Sequence, residues 1–161
     1  MTGLVDYNFF NYDVIDKSYK IIDKLEDWKE VKLFGLLFTA SWCPPCIEFE
    51  SKLLAFYNEV NTKSEKGKVF EVIHIASEKN ENDFKHSIEK LDWVFLRYND
   101  RNIQTLAEDL NLVHIPCLFI FNDDGILLVS EGRNDITTLQ TKEIWEKWIN
   151  KLVEKENMDI V

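Results

Sequence analysis

Cysteine is scarce: three residues in a chain of 161. That is too few for a disulfide-stapled secreted scaffold. Proline is equally rare, three in all, and glycine occurs five times. No stretch therefore reads as a flexible or proline-rich linker, and no repeat at solenoid spacing is present. The apolar runs fall far short of the roughly 20 residues needed to cross a bilayer. Positive charge is in deficit, with 19 Lys and Arg against 29 Asp and Glu, a formal net charge of −10. Such a surface repels polyanions, so neither nucleic acid nor an anionic membrane is an expected partner. The start, Met1 to Asp6, has no basic segment followed by an apolar one, as a signal peptide would have. Together these absences lead us to expect a soluble protein of a reducing, cytoplasmic setting.

What is present suffices for a core. Hydrophobic residues make up 45% of the chain and aromatics 13%. The length suits a single domain, residues 1–161. Phe9, Phe10, Tyr12, Val14 and Ile15 suggest an extended arm, Tyr19, Ile21 and Ile22 a second short strand, and Asp27 to Val31 a helical turn. Leu33 to Thr39 is a short, continuous apolar run and reads as a buried strand. Phe49, Leu53, Phe56 and Val60 then recur at helical spacing, predicting a helix over 44–63. Val69 to Ala76 reads as a strand buried on both faces. Asn80 is a suitable cap for a helix over 81–91, with Glu81 and Asp83 in its first turn. Trp93 to Tyr98 is mixed. Asp100 can cap a helix over 101–110, with Ile103, Leu106, Ala107 and Leu110 as its apolar stripe. Cys117 to Phe121 and Ile126 to Ser130 read as a hairpin, turned by Asn122-Asp123-Asp124-Gly125. A last helix spans about 142–154.

The chemistry concentrates in Trp42-Cys43-Pro44-Pro45-Cys46. Two cysteines three positions apart share a helix face, and a disulfide can close across the first turn. The motif follows a strand and precedes a helix, which puts Cys43 near the N-cap. Unpaired backbone N–H groups and the positive dipole end there favour a thiolate. Pro44 and Pro45 have no N–H to lose, and their fixed φ suits the first turn. The pattern reads as a redox pair, with an exposed nucleophilic sulfur at Cys43 and a buried resolving sulfur at Cys46. Other readings are two buried structural thiols, or a zinc set formed by Cys43, Cys46, His114 and Cys117. The redox pair is preferred, with no metal and no bound cofactor. Cys117 reads as a small core residue, with a third redox thiol as the sharper alternative. His74 reads as a satisfied sheet residue, His86 and His114 as surface residues. Trp28, Trp93, Trp145 and Trp148 read as packing, and Arg133 as a solvated loop residue.

The context Phe38-Thr39-Ala40-Ser41 followed by that motif resembles the thioredoxin superfamily. The two prolines between the cysteines are similar to its tryparedoxin and nucleoredoxin branch. Ile115-Pro116 before Cys117-Leu118-Phe119-Ile120-Phe121 resembles the loop that sets a cis-proline opposite the cysteines. The likeness runs from about Leu33 to about Trp148. It implies a thioredoxin-like α/β fold: a central mixed sheet with helices on both faces and an N-terminal β extension (1–32) beside a core (33–154). It implies a dithiol reductase of protein disulfides, with Cys43 attacking and Cys46 resolving, and with Trp42, Pro44, Pro45, Ile115 and Pro116 contacting substrate. Substrates in that branch include a peroxidase, and electrons come from a low-molecular-weight thiol or a flavoprotein reductase. A glutaredoxin-like reductase and a non-catalytic redox-sensing module are the alternatives. Two departures stand out. The buried Asp of ordinary thioredoxins is Leu37 here, which leaves the proton acceptor for Cys46 unassigned. Glu48 lies near the position where a cation is common, which opposes the helix dipole at Cys43.

Overall fold

The structure is a computed structural model and describes residues 11–160. Phe9 and Phe10 of the expected arm lie outside the described residues, as does the segment Met1 to Asp6. The chain runs β1 (Val14–Ile15), α1 (Lys24–Asp27), β2 (Leu33–Thr39), α2 (Pro44–Lys63), β3 (Phe70–Ala76), α3 (Glu81–Ile88) and β4 (Val94–Leu96). It continues with α4 (Asn102–Asp109), β5 (Cys117–Asn122), β6 (Leu127–Val129), α5 (Gly132–Thr138) and α6 (Thr141–Ile160).

The six strands form one sheet in the order β1-β4-β3-β2-β5-β6. β2 pairs parallel with β3, and β3 with β4. β5 pairs antiparallel with β2 and β6 with β5, while β1 adds antiparallel to the β4 edge. The sheet is thus mixed, as the resemblance implies.

Alternation along the strands explains the layers, because successive side chains point to opposite faces. Leu33 and Leu37 of β2, Phe70 and Val72 of β3, and Leu118 and Ile120 of β5 pack with Phe49, Leu53 and Phe56 of α2 and with Trp148 of α6. The intervening Phe34, Leu36, Phe38, Ile73, Ile75, Phe119 and Phe121 pack with Leu106 and Leu110 and with Trp28. Both faces of the central strands are therefore covered, and every residue of β2 and β3 is buried.

Several boundaries move, each for a local reason. The second N-terminal strand reduces to a single bridge, Ile15 to Ile21. The helical turn expected at 27–31 lies earlier, at α1, because Asp23 caps it by accepting from the Glu26 amide. It stops where Trp28 turns inward to donate its indole N–H to Glu71 Oε2 at 3.1 Å. Glu71, fully buried in β3, was not anticipated; it also accepts from Lys68 Nζ at 3.0 Å. Asn80 caps α3 as expected, but the helix ends at Ile88, and Leu91 reaches the core from the following turn. The helix expected over 101–110 is α4, which begins only at Asn102; its N-cap residue is Arg101, without a side-chain cap, rather than Asp100, whose carboxylate accepts from the Asn102 amide. Gly125 carries the turn between β5 and β6 at φ 79°, a conformation glycine adopts without strain.

The helix α5 was missed, and Arg133 belongs to it rather than to a loop. Its residues Asn134, Thr137 and Thr138 are weak helix formers. Tertiary packing supplies what propensity lacks. Asp135 is buried and accepts from Trp148 Nε1 at 2.8 Å and from Lys147 Nζ at 2.7 Å. At Gly132 a Cβ would stand 2.9 Å from the Leu118 carbonyl oxygen, so only glycine lets α5 approach the sheet this closely.

Candidate functional site

β2 ends at Thr39, and residues 40–43 carry the chain to the first turn of α2, with Cys43 as its N-cap residue and Pro44 and Pro45 opening the helix. The Cys46 amide donates to the Cys43 carbonyl at 3.0 Å and the Ile47 amide at 3.2 Å. The preceding loop is pinned from the segment that follows β3. Trp42 Nε1 donates to the Ser77 carbonyl at 2.7 Å, and the Ser41 amide and hydroxyl both donate to the Glu78 carboxylate. Trp42 itself is 53% exposed; anchored by its indole nitrogen, it offers a fixed aromatic wall beside Cys43.

All three cysteines are free thiols. Cys46 is 1% exposed. Burial pushes its thiol up to about 11, reinforced by the hydrogen bond to Cys43 and opposed by Thr39 and the Ala40 backbone. It is therefore protonated at neutral pH. Cys43 departs from expectation. It is 7% exposed rather than open to solvent, because Ala40 and Ile115 pack against the cysteine pair.

The Ile115–Pro116 peptide bond is cis. Pro116 is buried and Ile115 half-buried. Arg133 Nη1 donates to the Pro116 carbonyl at 3.3 Å, so α5 ties down the loop facing the cysteines. Ile47, next to Cys46 in the chain, and Val113, two residues before Ile115, are exposed. Pro44 and Pro45 are exposed on the surface of the first turn.

The two halves of the formal zinc set do not meet. Cys117 packs on the α4 side of the sheet, opposite the layer that holds α2. His114 is exposed in the preceding loop. Among the described residues no group of three His, Cys, Asp or Glu could hold a metal ion. Burial raises the Cys117 thiol, which suits a packed residue better than a reactive one. His74 is 2% exposed; its Nδ1 accepts from Trp93 Nε1 at 3.1 Å, and burial lowers it to about 3. His86 is exposed beside Glu89.

One residue of α2 that the sequence reading does not single out has a perturbed carboxyl. Glu50 sits one turn after Cys46, at the i, i+4 spacing that brings side chains together on a helix. Long side chains there lean toward the helix N-terminus, hence toward the cysteines. Burial raises its carboxyl to about 7, and the charge of Glu78 adds to the rise. The spacing from Cys46 is legible in the sequence; the charge of Glu78, in the segment after β3, is not.

The thioredoxin-like family model matches residues 30–127. Tryparedoxin of Trypanosoma brucei brucei is 34% identical over 138 residues, covering 84% of this chain and 91% of that protein. Probable nucleoredoxin 3 of rice (Oryza sativa subsp. japonica) is 35% identical over 106 residues, 66% of this chain. The chain spans only 22% of the length of that nucleoredoxin, and 26% and 33% of two further plant nucleoredoxins. Among solved structures, tryparedoxin II of C. fasciculata superposes with a TM-score of 0.69 at 29% identity, covering 80% of this chain and 84% of that one. With the family match extending over more than half of its residues and the same fold around the cysteine pair, this chain belongs to the thioredoxin-like family.

Proposed function

We propose that the protein is a thiol–disulfide oxidoreductase that reduces protein disulfides through Cys43 and Cys46. The observation that carries this is the pair itself: Cys43 is the N-cap residue of α2 and packs together with the fully buried Cys46 in its first turn. Kinship with tryparedoxin and nucleoredoxin supports it. The Cys43 thiolate attacks one sulfur of the substrate disulfide, that S–S bond breaks, and the departing sulfur takes a proton. Cys46 then loses its proton and attacks Cys43 Sγ. The mixed disulfide breaks, the substrate leaves as a dithiol, and a Cys43–Cys46 disulfide holds the two-electron oxidation. Glu50 is our choice for the Cys46 proton acceptor. It stands one turn away and changes charge near neutral pH, where an acid–base group works best.

The substrate is a protein segment that lies across Trp42, Pro44 and Pro45 and along Ile115 and Pro116. The exposed apolar side chains of Trp42, Ile47 and Val113 favour a segment with apolar residues beside its cysteine. A peroxidase is one such substrate. Reduction of the Cys43–Cys46 disulfide calls for a low-molecular-weight thiol or a flavoprotein reductase. The thiol is favoured, since a tryparedoxin II structure is complexed with glutathionylspermidine. A reducing cytoplasmic location and a single domain, with residues 33–154 as core and 1–32 as an edge extension, belong to the same reading. The β1 pairing at the sheet edge supports the extension.

The test is insulin-disulfide reduction with dithiothreitol as electron source. Wild type should be active, and Cys43→Ser inactive. Cys46→Ser should accumulate a mixed disulfide with substrate, visible by mass spectrometry and cleared by reductant. Activity surviving in Cys43→Ser would refute the assignment of the nucleophile. Full turnover by Cys46→Ser would replace the dithiol route with a monothiol, glutaredoxin-like one.

A further inference from the structure

A second concave site lies at the far end of α2 from the cysteines. The helix has 20 residues, about 30 Å at 1.5 Å per residue, so this site takes no part in the thiol chemistry. Its volume is about 560 Å³, within the range of about 300–1,000 Å³ usual for small-molecule sites. The floor is apolar: Val60 from α2, Val69 before β3, and Trp145 and Ile149 from α6. Trp145 is half-buried and held from beneath by Phe56 and Phe70, with ring centroids 6.4 and 6.3 Å away. The wall is braced as well. Thr141 donates to Glu59 Oε2 at 2.8 Å, and Lys63 pairs with Glu59 Oε1 at 2.7 Å, joining α2 to the start of α6.

The rim runs against the charge of the molecule. In a chain of net charge −10, this groove is bordered by Lys32, Lys63, Lys66 and Lys142 against only Glu30 and Glu146. Lys63 is held by Glu59. Among the described residues Lys32, Lys66 and Lys142 make no ion pair. The first turn of α6, at Thr141 and Lys142, also borders the groove. Apolar floor and cationic rim together specify an occupant with one apolar part and one anionic head.

We propose that this groove binds a small amphipathic anion, its aliphatic or aromatic body on Trp145 and Val69 and its carboxylate or sulfonate among Lys32, Lys66 and Lys142. Decanoate is the probe, with decanol as its uncharged counterpart. Titration calorimetry should give one decanoate per chain, with decanol bound more weakly. The Trp145 indole N–H resonance should shift while that of Trp42 stays in place. Charge reversal in Lys66→Glu/Lys142→Glu should weaken decanoate by about tenfold, a cost near 1.4 kcal/mol, and leave both decanol binding and insulin reduction unchanged. Absence of binding at millimolar decanoate would overturn the proposal, as would equal binding of decanol by wild type. A Trp145 resonance that moves with protein concentration alone would overturn it too, by assigning the face to a second copy of the chain.

Discussion

Replacing Glu50 by Gln keeps the shape of the side chain and removes its charge. In the folded state its carboxyl is raised from 4.5 to about 7 by burial and by Glu78. Each pH unit of difference is worth about 1.36 kcal/mol, so the full linkage has a ceiling of about 3.4 kcal/mol. Glu50 keeps part of its surface in water, and solvent screening trims this to about 2 kcal/mol. The sign follows from the direction. A carboxyl held above its unfolded value contributes stability that is complete below about 4.5 and lost as pH rises through about 7. Wild type therefore carries a buried-charge cost at about pH 8.5 that Glu50→Gln does not. The variant should be the more stable there by about 2 kcal/mol, and the gain should shrink to a few tenths near pH 4.5. Urea unfolding followed by tryptophan fluorescence at the two pH values, with the m-value held constant, measures it. An equal gain at both pH values would assign the effect to packing. A loss at the higher pH would refute the reasoning, since the ionised carboxylate would then be a favourable partner in the fold.

Other perturbations test other parts of the structure. Asp135→Ala strands the Trp148 indole N–H and the Lys147 ammonium; it should cost about 3 kcal/mol in urea unfolding, and a change under 0.5 kcal/mol would contradict the burial seen here. Gly132→Ala drives a methyl to 2.9 Å from the Leu118 carbonyl oxygen. The α5 displacement this forces should cost about 1–3 kcal/mol and slow disulfide reduction, because Arg133 would release the Pro116 loop. His74 is held down to about 3 by burial. Its ring carbon NMR shifts should stay those of neutral imidazole from pH 8 to about 4, while the unfolded chain protonates near 6.5. The stability this residue contributes is present above 6.5 and declines as pH falls toward 3; an ordinary titration in the folded protein would refute the burial. In Cys43→Ala the main cause of the raised Cys46 thiol, burial, remains. Alkylation by iodoacetamide should stay slow at neutral pH, and rapid labelling would mean that Cys46 is open to solvent.

Local pattern carried much of this protein. The bounds of β2 and α2 follow from a seven-residue apolar run, two prolines and an apolar stripe, all set by neighbours within a few positions. Cys43 at the cap and Cys46 one turn in follow from the same spacing, and so does the capping of α3 by Asn80. Ile115-Pro116 was legible as a motif before its bond was seen to be cis. What the sequence could not show depends on residues far apart in the chain. Cys43 is covered because Ile115 arrives on another loop, some seventy positions later. Glu50 is raised partly by the charge of Glu78, which lies in the segment after β3. The helix α5 has poor propensity and exists because Asp135 finds Trp148 and Lys147, and because Gly132 lets it touch Leu118. The lysine-rimmed groove draws its sides from the end of α2, the start of β3 and the first turns of α6. Periodicity determines which face of an element is buried. Only tertiary packing decides which distant groups share that burial, and the energies of charge and thiol depend on those neighbours.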